Sequence, residues 1–404
     1  MRVSEIRIAV GAETCELRGW VESDASPDET DWFAPFPLWW RFPARCAPFL
    51  RVDNGDPWLA ALLVLAMQTG EDLTIPAPVS PRVLGALPDI QAVFTSFYKR
   101  LRPVTIVTSA RGKAWPDEDA GVGLFFSLGV DSFYSLLKNR REHPADSRSL
   151  THLISVNGFD VTYEGDDGEF PPALLRNFER VAAAFDLTLV PVSTNIRRVG
   201  VRLVPWTALH GAALASVTLA LGGLFRRVSI AGSTTYDKLY PWGSHPVLDP
   251  LWSTETLEVV HDGCELNTID KTAVVARSPL ALETLRPCAG HGDEYNCGRC
   301  EKCLRTMLDL LLAGALERCQ TLPHEIEPEW VRAGIRPGGP IHVADYQRRL
   351  EELSATGRAP AVCQALAAHL ALGMNPRFLA SSRRVNAPGT RNRLADAVSR
   401  LFER

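Results

Sequence analysis

Cys288, Cys297, Cys300 and Cys303 stand close together with the spacing C-x8-C-x2-C-x2-C. Four thiolates suit a tetrahedral zinc ion at about 2.3 Å per bond, and a site closed by four protein ligands is structural rather than catalytic. An iron–sulfur cluster also takes four thiolates. Zinc is the expectation, with short C-x2-C turns wrapping one ion and Gly298 easing the bend. A second group, Ser127-Leu128-Gly129-Val130-Asp131-Ser132, follows an apolar run and precedes a helical pattern. A strand, a glycine turn and a helix N-terminus make an anion site, because backbone N–H groups and the helix dipole both favour negative charge. Ser127 and Ser132 can give hydroxyls to phosphate. Asp131 can cap the helix or hold Mg2+ beside a pyrophosphate. The patterns G-x-G-x-x-G and G-x-x-x-x-G-K-[ST] are absent at this loop.

The elements that must position these groups alternate strand and helix. Strands are expected at 123–126, 152–156, 187–192 and 228–231, and helices at 131–141, 171–185 and 206–221. Repeated units of that length predict an α/β fold with a doubly wound parallel sheet, whose ligands bind beyond the carboxyl ends of the strands. Before this block, residues 1–118 read as a small N-terminal α/β domain holding six of the ten tryptophans, which are more often core than ligand box. Asp56-Pro57 opens a helix to Thr69, Leu73–Ile75 is a short strand, 80–87 and 91–101 are helices, and 104–107 is a strand. The polar stretch 110–119 reads as a linker. From 319 to 404 the chain is helical, with helices at 344–354 and 359–372. It ends in a tail, 377–404, where seven arginines face Asp396 and Glu403.

Ser-x-Gly-x-Asp-Ser after the first strand of such a sheet resembles the loop of the PP-loop, or N-type, ATP pyrophosphatases, whose usual form is S-G-G-x-D-S; Leu128 stands at the first glycine. Together with the cysteine spacing, the chain resembles the 7-cyano-7-deazaguanine synthases over residues 120–310, and so an adenine nucleotide alpha-hydrolase-like fold with a zinc knuckle. Asp237-Lys238-Leu239-Tyr240-Pro241 after the fourth strand is similar to a family stretch, as is the strand-then-lysine pattern of Leu257 to Lys271. The resemblance implies that ATP and Mg2+ bind at residues 127–132, with Asn157, Gly158 and Asp160 near adenosine. It implies a carbonyl oxygen of a small molecule adenylylated with loss of pyrophosphate, then attacked by ammonia or another nucleophile. Asp131 and Lys271 would be catalytic, Asp237 and Tyr240 would face the substrate, and a homodimer is implied. The extra N- and C-terminal regions depart from the family, as does Gly243 to Pro250, so the substrate is expected to differ.

Other residues admit functional readings. His245, in a Pro/Gly/Trp-rich loop with Asp249, could serve as acid or base. Arg286 and Arg305 flank the knuckle and could bind anions. Cys264 would matter in a sulfur-transfer enzyme, which needs an accessible thiolate. The basic tail could grip tRNA. Against a general nucleic-acid or membrane role, net charge is −4, so no overall basic field exists. Nine cysteines in 404 residues are too sparse for a secreted disulfide scaffold. No signal peptide and no apolar run of membrane-spanning length is visible, so a cytoplasmic, non-membrane protein is expected.

Overall fold

The computed structural model describes residues 1–24, 35–110, 120–159, 169–288, 295–335 and 340–373. All of the expected linker 110–119 but Ala110, together with Asp160, Trp32, Trp115 and the arginine tail, lies outside the described residues.

Three antiparallel strands that the sequence reading did not mark open the chain: β1 (Arg2–Val10), β2 (Thr14–Glu22) and β3 (Phe36–Pro43). Their signal is a period of two. In β2, Cys15, Leu17 and Val21 are buried while Trp20 is exposed on the other face; in β3, Leu38, Trp40 and Phe42 are buried. Helix α1 (Asp56–Thr69) begins with Asp56 in its first turn, not at the cap, and ends on Gly70 in the left-handed region at φ 76°. After β4 (Leu73–Thr74), the two helices expected at 80–87 and 91–101 are one, α2 (Pro81–Phe97). Pro88 forgoes one backbone bond, but Val83, Leu87, Ile90 and Phe94 keep a single buried stripe only if the helix continues through it. β5 (Ile106–Val107) follows.

From Gly121 the strand and helix alternation follows the expected order closely: β6 (Gly121–Phe125), α3 (Val130–Glu142), β7 (His152–Asn157), α4 (Pro172–Ala184), β8 (Thr188–Thr194), α5 (Ile196–Gly200), α6 (Trp206–Ala220), β9 (Phe225–Ala231) and β10 (Glu258–Asp262). Helices then dominate: α7 (Thr268–Val275), α8 (Pro279–Thr284), α9 (Glu301–Leu312), α10 (Pro328–Gly334), α11 (Pro340–Thr356) and α12 (Pro360–Gly373).

All ten strands join one mostly parallel sheet in the order β10-β9-β6-β7-β8-β3-β2-β1-β4-β5. β10 through β8 are parallel. β3 docks on β8 antiparallel, Trp40 opposite Thr194 and Arg41 opposite Ser193. Successive residues of a strand point to opposite faces. Accordingly Leu124 and Leu153 enter one apolar cluster with Phe133, Phe178 and Met307, whereas Phe125 and Ile154 enter another with Trp40, Trp58 and Trp252. Helices therefore cover both faces. The residues of 1–118 share the sheet and the Trp40 core with the parallel block, and α11 and α12 share the Phe133 core. Among the described residues no helix is long and apolar enough to cross a membrane.

Candidate functional site

The parallel block starts at β6 and adds β7 and β8 on one side, then β9 and β10 on the other. The strand order reverses between β6 and β9, the place where open sheets of this kind bind ligands. Ser127 to Ser132 follows β6 there. Its Leu128 adopts φ 62°, a left-handed conformation usually left to glycine. The side chain compensates by being fully buried, and the carbonyl accepts the Arg286 N–H at 2.8 Å. The loop folds back on itself: Ser132 Oγ donates to the Gly129 carbonyl at 3.0 Å and accepts from the Ser127 N–H at 3.3 Å, with Ser127 Oγ 3.4 Å away. Gly129 is the N-cap of α3 and supplies no side chain to its first-turn N–H groups, so those donors are left for a ligand.

Asp131, in that first turn, is held from the neighbouring strand end. Lys271 Nζ lies 2.9 Å from Asp131 Oδ1 and donates to the Gly232 carbonyl at 2.6 Å, while Ser233 Oγ donates to Asp131 Oδ2 at 3.1 Å. Lys271 is only 1% exposed. It therefore belongs to the site's interior and not to a solvent-facing helix side. Asn157, at the end of β7, is buried and donates from Nδ2 to the Glu169 carbonyl at 2.8 Å. Gly158 beside it has φ 95°, and a Cβ there would meet the Thr194 carbonyl oxygen at 2.4 Å; only glycine fits.

Ser127, Gly129, Val130, Asp131, Ser132, Asn157 and Gly158 line one cavity of about 300 Å³, and Lys271 stands behind Asp131. The cavity's aromatic side includes Phe159, inside the stretch expected near adenosine, together with Phe170, Phe178 and Trp206, which nothing in the sequence singles out. These came from three separate segments, and no spacing rule links them. Phe159 and Trp206 rings sit 5.0 Å apart, and the Arg197 guanidinium stands over the Trp206 ring. His210, one turn past Trp206, faces the cavity with its nitrogens engaged: Nδ1 with the Trp206 carbonyl and Nε2 with the Ser244 N–H.

The other expected substrate residues do not reach this cavity wall. Asp237 is exposed on a turn, Tyr236–Lys238. Tyr240 packs edge-on against Trp242 at 5.5 Å, half-buried. His245 is 5% exposed, edge-on to Phe97, and its Nδ1 accepts the Val247 N–H. Burial pushes its pKa down. Asp249 is fully buried and accepts from Ser244 Oγ at 2.7 Å and from His261 Nδ1 at 2.7 Å. Burial opposes charge on His261, yet bonding to Asp249 and the nearby Cys264 thiol outweigh it and raise the pKa to about 9. Cys264 is 1% exposed, and so is closed to bulk reagents.

Cys288, Cys297, Cys300 and Cys303 meet as their spacing implies. Their sulfurs all lie within 4.8 Å of one another. Separations of 3.5, 3.8 and 3.9 Å exceed the S–S bond of about 2.05 Å and match the edge of about 3.8 Å that tetrahedral Zn–S bonds of about 2.3 Å require. A hydrogen bond from Cys303 favours the thiolate form of Cys300. The donor set fits zinc: Cys300, Cys303 and their turn would hold the ion against the start of α9, and the ion would cross-link the segment to the core. Cys288 also borders the cavity, so the knuckle forms part of its wall. No protein-family model, curated protein or solved structure matches the chain.

Proposed function

We propose that this protein is an ATP-dependent, C–N bond-forming ligase that adenylylates a carboxylate or amide oxygen of a small molecule. The observation that carries the reading is the α3 N-terminus. It has no capping side chain, is flanked by two serine hydroxyls and an Asp131–Lys271 pair, and opens into the cavity at the reversal of strand order. A polyphosphate is the ligand whose charge and many acceptors such a cradle suits.

In this reading Ser127, Ser132 and the N–H groups of Gly129 to Ser132 hold the β- and γ-phosphates. Lys271 offsets charge that builds on the leaving pyrophosphate, and the Asp131 contact fixes its direction. Mg2+, when bound at Asp131, would neutralise further charge. The substrate oxygen forms a bond to the α-phosphorus as the bond to the β-phosphate oxygen breaks and pyrophosphate leaves. Ammonia or another nucleophile then attacks the activated carbon, and AMP departs. Positioning and charge stabilisation supply most of the acceleration. The aromatic wall at Phe159 and Trp206 suits a nucleobase or a flat substrate. Zinc remains structural.

The thiolation alternative needs a reachable thiol, and the burial of Cys264 away from the cavity wall speaks against that residue. A tRNA grip by the tail and a homodimer both stay as proposals about residues or partners beyond those described.

Calorimetric titration with α,β-methylene-ATP tests the nucleotide site. Binding to the wild type and at least about tenfold weaker binding to Gly129→Asp is expected, since a carboxylate in an anion cradle repels phosphate. A Cβ at Gly129 meets only Ser127 Oγ, at 3.2 Å, so the variant should fold. Equal binding by both proteins rejects the site.

A further inference from the structure

Three cationic side chains line the cavity wall outside residues 127–132. Arg286 precedes the first knuckle cysteine. Lys302 and Arg305, three residues apart on α9, share a helix face beside the knuckle, in the same cavity wall. Arg286 and Lys302 have no side-chain hydrogen bond or ion pair among the described residues. Arg305 Nε is buried with no hydrogen-bond partner. Its one ion pair among the described residues is long, 3.4 Å from Nη1 to Glu301 Oε1, and that oxygen already accepts from Tyr346 Oη at 2.5 Å. Among the described residues that line the cavity, Asp131 is the only carboxylate, and Lys271 occupies it. A guanidinium N–H buried without an acceptor costs free energy, and a planar fork of donors is the group that best matches a carboxylate or phosphate.

Resting on the nucleotide reading above, we propose that Arg305, with Arg286 and Lys302, forms a second oxyanion subsite in the cavity wall beside the knuckle. It takes a carboxylate or phosphate that the small-molecule substrate carries in addition to the oxygen that reacts. An oxyanion gripped there is charge-neutralised and hydrogen-bonded, hence a poor nucleophile. The reacting oxygen is a different one, directed at the nucleotide, and the anchored acid group stays on the product. The aromatic residues Phe170, Phe178 and Trp206 in the same wall suit a flat apolar body. The substrate class is thus an aromatic molecule bearing a reactive carboxylate or amide plus a separate acid group.

Inorganic phosphate, titrated calorimetrically into protein saturated with α,β-methylene-ATP, tests the subsite. The nucleotide-loaded protein should bind phosphate. Arg305→Gln should weaken that binding about tenfold or more, and Lys302→Gln, an exposed change safe for folding, by about threefold; Arg305→Lys should recover part of the loss. Affinity for the analogue should change less than about threefold in all variants. Phosphate that binds empty protein but is excluded by the analogue would overturn the proposal, because the nucleotide's own phosphates then claim these cations. So would an Arg305→Gln variant that loses analogue and phosphate affinity alike. If the analogue itself does not bind, the nucleotide reading fails separately. Phosphate titration of Arg305→Gln against Ser127→Ala then decides the subsite alone: loss in the first variant supports it, and loss confined to the second rejects it.

Discussion

Leu128 sits in a conformation that costs an L-residue about 1–2 kcal/mol, with its side chain wholly inside the Phe133 core. Burying a leucine is worth more than that, so packing wins and the loop keeps its turn without glycine. Two variants separate the terms. Leu128→Ala loses the packing and keeps the strain, an expected destabilisation of about 2–4 kcal/mol. Leu128→Gly loses the packing but relieves the strain, and should be more stable than the alanine variant by about 1 kcal/mol in urea unfolding. Lys271→Met should cost about 1–3 kcal/mol and abolish nucleotide turnover, because it leaves Asp131 without its cation. His261 gives a pH signature. Its folded pKa, about 9, is above the model-peptide value of 6.5. Its contribution is therefore complete below pH 6.5 and is lost as pH rises through 9, up to about 3 kcal/mol in all. The stability difference between wild type and His261→Asn should shrink over that window; a difference that grows would show the imidazole is buried neutral.

At the scale of elements, the knuckle secures the start of α9, and α9 is fastened in turn to α11. Arg349 makes two hydrogen bonds to Asp309, at 2.7 and 2.9 Å, both residues being buried. Breaking a pair of this kind strands a buried charge, so Arg349→Met should destabilise by about 3–5 kcal/mol, and adding Asp309→Leu should restore much of it. Cys300→Ser should lower zinc content measured by plasma emission from one ion per chain. Retention of a full equivalent would show that the metal binds elsewhere. The sequence exposed these elements unequally. The β6–β9 alternation and the cysteine cluster were readable because each signal is local: an apolar run before a turn, or ligands within 16 residues of chain. β1 to β3 were readable too, in the alternation of Cys15, Leu17 and Val21 and of Leu38, Trp40 and Phe42, but their aromatics drew the reading toward a separate core. The helix through Pro88 and the pairings Asp249–His261 and Asp309–Arg349 depend on tertiary packing that no local spacing encodes. His245 drew notice as a lone histidine in a long loop, and the structure seats it against Phe97, away from the cavity wall.

For the whole molecule, one sheet carries both the opening strands and the parallel block, and two cores on its faces draw on residues from Met1 to Leu370. Trp40 and Trp58 pack edge-to-face at 5.0 Å in the same core as α6. Unfolding followed by tryptophan fluorescence and by far-ultraviolet circular dichroism should accordingly coincide; separated curves would mean that residues 1–118 melt on their own. The shared core places α6, which brings Trp206 and His210 to the cavity, under the control of the first hundred residues, while α11 meets α9 at the knuckle end. An adenylylating ligase is distinguished most directly by which bond of ATP it cuts. The protein incubated with ATP, ammonium and a panel of aromatic acids and amides should release AMP and pyrophosphate in equal amounts, seen by mass spectrometry, and Lys271→Met should not; ADP with inorganic phosphate, or ATP left intact across the panel, would contradict adenylylation.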